Sequence, residues 1–237
     1  MTDISIIIPV YNEEGNIGKL IDNILSKIKL NKEIIIVNDG STDNTIEEIK
    51  SKNCKIINLE KNMGKGFAMR EGIKLSSGNY ILFMGGDGQD DPKEIILLYE
   101  KIKNNYDLVI GSRFLPTQNN TERYSKKAVL PINEIGNRFI TFLINIFFKR
   151  KITDSQAEFK IFLSSKLKSL TLISDRFEIE TELLIRSFKN NFKIIELPVH
   201  RHERLYGKSK LFDIPFGRLL FGMRVIRAII KGYFFWK

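Results

Sequence analysis

The sequence predicts an α/β protein: a mostly parallel sheet with helices on both faces and an amphipathic helix at the C-terminal end. Three observations predict it. Short apolar runs alternate with stretches of helical periodicity from residue 4 to residue 110. The runs are continuously apolar instead of alternating, as expected of strands buried on both faces. Clusters of Gly, Asn, Asp and Ser separate the runs from the helical stretches, the β-then-α order of a layered domain.

Each element follows from its residues. Ile4–Val10 is the first strand, and residues 15–28 carry Leu20, Ile21, Ile24, Leu25 and Ile28 on one helical face. Residues 33–37 form a second strand, closed by Asn38-Asp39-Gly40-Ser41-Thr42-Asp43. Those turn residues also supply N-caps for a helix through Ile46 and Ile49. A strand at 55–59, a helix at 64–75, a strand at 80–84, a helix over Glu94–Ile102 and a strand at 108–110 complete the alternation. Ligands of such sheets bind beyond the carboxyl ends of the strands. Tyr11, Asp39 and Asp87 each follow a strand and should therefore share one edge.

Residues 115–131 dissolve into polar and basic side chains and read as a loop. Helix returns over 134–148, where Glu134, Arg138, Thr141 and Asn145 make a polar stripe in an otherwise apolar segment. Residues 154–163 read as a turn into a short strand, 177–188 as a Glu-rich helix, 193–199 as an edge strand and 200–210 as a basic loop. The last helix spans 214–235, with Arg224, Arg227 and Lys231 clustered opposite Leu219, Phe221, Val225, Ile226, Ile229 and Tyr233. A basic stripe beside an aromatic-rich apolar face is the pattern of helices that lie on a membrane surface.

With 237 residues, 43% of them hydrophobic, the chain can bury a substantial core and is no disordered tail. Its charge of +10 is uneven: −2 over residues 1–115 and +12 over 116–237. The second half thus suits a phosphate, a membrane surface or a nucleic acid. Nucleic acid is disfavoured, because that half has neither a recognition helix nor an aromatic and basic sheet motif. Cys54 is the sole cysteine, which excludes an internal disulfide, fits a reducing compartment and reads as a small buried hydrophobe. Thr2-Asp3 leads straight into a strand, so no secretory signal is expected, and no run reaches the roughly 20 apolar residues of a membrane span.

The chemistry concentrates in Phe83-Met84-Gly85-Gly86-Asp87-Gly88-Gln89-Asp90-Asp91-Pro92. A strand empties into glycines, which admit a ligand close to the backbone, and then into a carboxylate able to hold a divalent cation. Pro9-Val10-Tyr11-Asn12-Glu13-Glu14, Val37-Asn38-Asp39-Gly40-Ser41-Thr42-Asp43 and Asn62-Met63-Gly64-Lys65-Gly66 complete a set of four. In this order and spacing they resemble family 2 glycosyltransferases with the GT-A fold. Gly111-Ser112-Arg113, Asp154-Ser155-Gln156-Ala157-Glu158-Phe159-Lys160, Glu196-Leu197-Pro198-Val199 and Arg204-Leu205-Tyr206-Gly207-Lys208-Ser209-Lys210 narrow this to the polyprenyl-phosphate, dolichol-phosphate mannosyltransferase-like branch. The resemblance covers about residues 4 to 212.

That resemblance implies sugar transfer from a nucleotide diphosphate donor, of GDP-mannose or UDP-glucose type, to a polyprenyl phosphate at the cytoplasmic membrane face. Residues 1–115 would be the nucleotide-sugar half of the domain, 116–212 the acceptor half and 213–237 a peripheral membrane helix. Pro9, Tyr11, Glu13, Asp39, Lys65 and Asp87 would hold the nucleotide, and Asp87 with Gln89 would hold Mg²⁺ or Mn²⁺. Arg113, Lys126, Lys127, Arg204 and Lys210 would surround donor and acceptor phosphates, with Asn133 where relatives often have a serine. Asp87, Asp154 and Arg113 would serve catalysis. The family usually carries two acids in its Asp-x-Asp element; here the first position is Gly85. Two other readings fit the same residues: transfer to the hydroxyl of a glycan or lipid-linked saccharide, and a non-catalytic binder of nucleotide sugar and membrane. His200 and His202 suggest a metal pair, but nothing completes a ligand set, so a structural or phosphate-facing role is expected.

Overall fold

The computed structural model describes residues 2–116, 131–204, 206–207 and 216–236. Among them, seven strands form one sheet in the order β3-β2-β1-β4-β6-β5-β7. β1 (Ile4–Val10) lies parallel between β2 (Lys32–Asn38) and β4 (Tyr80–Phe83), and β3 (Lys55–Asn58) is parallel outside β2. β6 (Lys160–Leu163) enters antiparallel between β4 and β5 (Leu108–Ser112). β7 (Ile194–Pro198) runs parallel to β5 as the edge strand the sequence predicts.

The continuous apolar runs serve two cores at once. Ile6, Ile8, Ile34 and Ile36 point to a layer filled by α1 (Ile17–Lys27) and α4 (Glu94–Ile102) through Ile21, Ile24, Ile95 and Leu98. Their neighbours Ile7, Ile35 and Val37 point the other way, against Ala68 and Met69 of α3 (Lys65–Leu75). That second core continues through α5 (Pro131–Phe148), α7 (Ile179–Lys189) and α8 (Gly217–Phe234), where Ile144, Leu183, Val225 and Ile229 are buried. Two one-turn helices, α2 (Thr45–Ile49) and α6 (Ser164–Lys168), complete the set. Period-2 side-chain alternation in a strand buried on both faces favours apolar residues at nearly every position, and the buried exception in β1, Ser5, donates its hydroxyl to Glu33.

Two helices depart from the simple expectation that apolar faces turn inward. On α5 the buried face combines Ile140 and Ile144 with Thr141 of the polar stripe, while Arg138 of that stripe stays exposed. Thr141 pairs with Ser155 at 2.8 Å, and Asn145 brackets Ile152 through both backbone groups. Ile132, Ile135, Phe139, Phe142 and Ile146, spaced along one outer face, are each more than half exposed. α8 splits its apolar residues in the same way. Val225 and Ile229 enter the core, while Leu219, Met223, Ile226, Ile230 and Phe234 remain outside. Tyr233 meets Phe147 edge to face at 5.5 Å, joining the two outer surfaces. Among the described residues no helix is long and apolar enough to cross a membrane.

Candidate active site

A cavity of about 530 Å³ opens where β1, β2 and β4 end. The strand order reverses here, since the chain leaves β1 for β2 on one side and later returns to β4 on the other. Pro9, Tyr11, Glu13, Asp39, Lys65, Asp87, Gln89 and Arg204, all predicted from sequence, line it. The shared edge expected for Tyr11, Asp39 and Asp87 is therefore present.

Asp39 does not cap the helix that follows it. Its carboxylate accepts the backbone N–H of Met63 at 2.7 Å and of Gly64 at 2.9 Å, so it holds the entry to α3 against the cavity. Ahead of α2 it is Asp43 that binds the chain, accepting the Thr45 N–H at 3.0 Å. Burial pushes the Asp39 carboxyl up, and the two N–H groups oppose this. Gly64 has φ +103°, and a Cβ there would stand 2.4 Å from the carbonyl oxygen of Asp175. Both facts require glycine at the mouth of α3.

Lys65 is no solvated helix residue. Its ammonium sits 2.9 Å from Glu158 and 2.7 Å from Glu180, and Lys160 closes on Glu180 at 2.6 Å. Burial would lower the Lys65 pKa, but the two carboxylates outweigh it and hold it above the usual lysine value. Burial raises the Glu158 carboxyl, helped by the carboxylates of Glu180, Asp87 and Asp90 and opposed by Lys65.

Two guanidiniums close the other side. Arg204 donates to both oxygens of Glu13, at 3.0 and 3.1 Å, and to Asp87 at 3.0 Å. Arg201 donates to Asp90 at 2.7 Å and to the Gln89 amide oxygen at 3.0 Å. Burial would raise the Asp87 carboxyl, but Arg201, Arg204 and the Gln89 N–H hold it below the usual range. Burial dominates at Glu13 and raises it against the pull of Arg204. The Gln89 side-chain amide also donates to the His202 carbonyl at 3.0 Å, so both ends of this predicted metal ligand are engaged by protein. Oxygen donors suited to a hard divalent cation are Asp87 and Glu158. Among the described residues no three His, Cys, Asp or Glu side chains are grouped to hold a metal by themselves.

Arg113 and Asp154 meet, but with each other. Nε and Nη2 of Arg113 fork onto the two Asp154 oxygens at 2.7 and 2.8 Å, and the Arg113 N–H adds a third bond at 3.0 Å. Burial would raise Asp154, and Arg113 outweighs it and holds the carboxyl low. Neither residue is part of the cavity wall, nor is Asn133 in the first turn of α5. Lys126, Lys127 and Lys210 lie outside the described residues. His200 anchors its loop through Nδ1 and Glu94 at 2.8 Å, a structural role. Sequence reasoning did not single out Arg201, Arg176, Phe177 or Glu158, which also line the cavity.

The profile of glycosyl transferase family 2 matches residues 5–171, most of the chain. The chain belongs to glycosyl transferase family 2. An uncharacterised protein of Methanocaldococcus jannaschii is 31% identical over 226 residues, covering 92% of this chain and 90% of the relative. A dolichyl-phosphate β-glucosyltransferase of Trichomonas vaginalis is 30% identical over 228 residues, covering 88% of this chain and 68% of that protein. Among solved structures, glucosyl-3-phosphoglycerate synthase from Mycobacterium tuberculosis, in complex with Mn²⁺, uridine diphosphate and phosphoglyceric acid, superposes with a TM-score of 0.77. It is 18% identical and is matched over 98% of this chain and 79% of that one. At that identity the match speaks for the GT-A fold alone. The chain is thus a glycosyltransferase by family and a GT-A protein by architecture.

Proposed function

We propose that this family 2 enzyme transfers a sugar, with inversion, from a nucleoside diphosphate sugar to a polyprenyl phosphate at the cytoplasmic face of a membrane. The observation that carries the reading is the pairing of Arg201 and Arg204 with Asp87, Asp90 and Glu13 around one cavity at the strand ends. A guanidinium offers a planar fork that matches phosphate oxygens as well as carboxylate oxygens. An entering diphosphate can therefore take over these forks without moving them far. Tyr11 and Pro9 line the end of the cavity nearest β1, where a base and ribose would lie, and Asp39 fixes the wall beside them.

As the bond from the sugar to the diphosphate breaks, negative charge develops on the departing nucleoside diphosphate. A bound Mg²⁺ or Mn²⁺ neutralises such charge on the leaving group, and Asp87 is the carboxylate best placed to hold it. Arg201 and Arg204 supply fixed positive charge beside the same group, where it stabilises a developing anion without reorganisation.

A polyprenyl phosphate is already an anionic nucleophile, so it needs orienting cations more than a general base. The basic second half supports this acceptor, as does the name of the Trichomonas relative. Residues 116–212 would then form the acceptor half of the domain that residues 1–115 begin. The outward apolar stripes of α5 and α8, flanked by exposed Arg224 and Arg227, support contact with the lipid surface that carries such an acceptor.

The test is incubation with a panel of nucleotide sugars and a short polyprenyl phosphate, followed by mass spectrometry of the lipid fraction. A glycosyl phosphate lipid is expected from one donor. Transfer to a saccharide hydroxyl in the same panel, with the lipid phosphate untouched, would refute the acceptor assignment.

A further inference from the structure

We infer that Glu158 supplies to the divalent cation the carboxylate that Gly85 cannot. This inference rests on the cation-assisted transfer proposed above. A small divalent cation on a diphosphate is usually held by one or two carboxylates together with phosphate oxygens, and Asp87 provides only the first.

The remaining carboxylates near the cavity are committed. Both oxygens of Glu13 accept from Arg204, one also from Asn16. Asp90 takes Arg201, and Asp39 takes the backbone of Met63 and Gly64. Glu180 lies between Lys65 and Lys160.

Glu158 differs from all of these. It lines the cavity, and only its Oε1 receives the Lys65 ammonium. Its Oε2 is turned to Gly85, 3.0 Å from the point a Cβ would occupy there, and Asp87 Oδ1 faces the same point at 3.2 Å. Two hard oxygen donors from different elements thus converge on the space that the missing side chain leaves. A side chain at position 85 and Glu158 as placed would compete for it, since a Cβ contact of 3.0 Å is tighter than ordinary packing allows. The carboxylate absent from the loop after β4 is therefore replaced by one delivered from the segment before β6.

The experiment titrates Mn²⁺ into the protein with UDP, and separately with GDP, and follows free Mn²⁺ by electron paramagnetic resonance. Metal-free nucleotide binding is measured in parallel by calorimetry. Glu158→Gln is expected to weaken Mn²⁺ binding about tenfold or more, the scale on which lost support for a metal site is felt, without weakening metal-free nucleotide binding. The reciprocal exchange, Gly85→Asp with Glu158→Gly, is expected to restore Mn²⁺ affinity to near the wild-type value.

Unchanged Mn²⁺ affinity in Glu158→Gln overturns the inference and leaves the proposed transfer reaction standing. So does a change confined to metal-free nucleotide binding, which would mean that Glu158 only neutralises Lys65. If Glu158→Gln does not fold, the exchanged protein decides: folded but unable to hold Mn²⁺, it overturns the inference. Wild-type protein that binds nucleotide but no Mn²⁺ refutes the cation-assisted reading itself, and the inference with it.

Discussion

Replacing Lys65 by methionine tests the charge cluster at the root of the cavity. The ammonium lies 2.9 Å from Glu158 and 2.7 Å from Glu180, with Lys65 only 12% exposed at its side chain. Deleting one partner of a buried pair costs about 3–5 kcal/mol, because the other charge is left without compensation. Lys160 still holds Glu180 at 2.6 Å, so the lower end of that range, about 3 kcal/mol, is expected. For a chain of this size each kcal/mol shifts the melting temperature by about 2–4 °C, so Tm should fall by about 6–12 °C. The Lys65 pKa is raised above its ordinary 10.5, so its contribution is fully present below that pH and is lost only at more alkaline values. The comparison therefore belongs at neutral pH, by calorimetry, with urea unfolding as a second measure. Adding Glu158→Gln removes the stranded carboxylate and should return part of the loss, because contacting charges are not additive. A Lys65→Met protein within about 0.5 kcal/mol of wild type would behave like a surface substitution and refute the buried cluster.

Three further outcomes are expected. Arg113→Lys and Asp154→Asn should each impair transfer through the same lost fork, and the double variant should be little worse than either; additive losses in kcat/KM would show that the two act separately. Burial would raise the Glu33 carboxyl, but Lys55, Ser5 and Ser77 together hold it at about 2 against an ordinary 4.5. The folded pKa is the lower one, so the stability it confers is present above 4.5 and is lost as pH falls toward 2. Glu33→Gln should therefore destabilise at pH 7 by at most about 3 kcal/mol, less any solvent screening, and the gap should close in acid; a pH-independent gap in urea unfolding would contradict this. Finally, Phe139→Ser with Phe142→Ser should reduce the salt-resistant part of flotation with anionic liposomes. Arg224→Gln with Arg227→Gln should reduce the salt-sensitive part, and flotation unchanged in both would remove these helices from the membrane contact.

What the sequence made legible was local. Ile6, Ile7 and Ile8 announce a strand buried on both faces, and Asp39 and Asp87 announce its ligand edge, because each signal needs only a few neighbouring residues. Glu158 and Arg201 were not legible for the opposite reason. Glu158 reaches the cavity because β6 runs antiparallel between β4 and β5, a pairing that the segment 154–163 does not encode by itself. Arg201 reaches it because its backbone bridges to Asp90, 111 residues earlier in the chain. The α5 helix shows a different limit. Its periodicity fixes which residues share a face, and Glu134, Arg138, Thr141 and Asn145 do share one. Which residues turn inward depends on what waits there: the hydroxyl of Ser155 and the backbone of Ile152 claim Thr141 and Asn145, while Arg138 and Glu134 pair with each other nearer the surface. The rule that apolar faces seek the core assumes that water is the alternative. A helix that buries Ile140 and Ile144, satisfies Thr141 and Asn145 from within and still turns Phe139 and Phe142 outward fits a surface that is not all water.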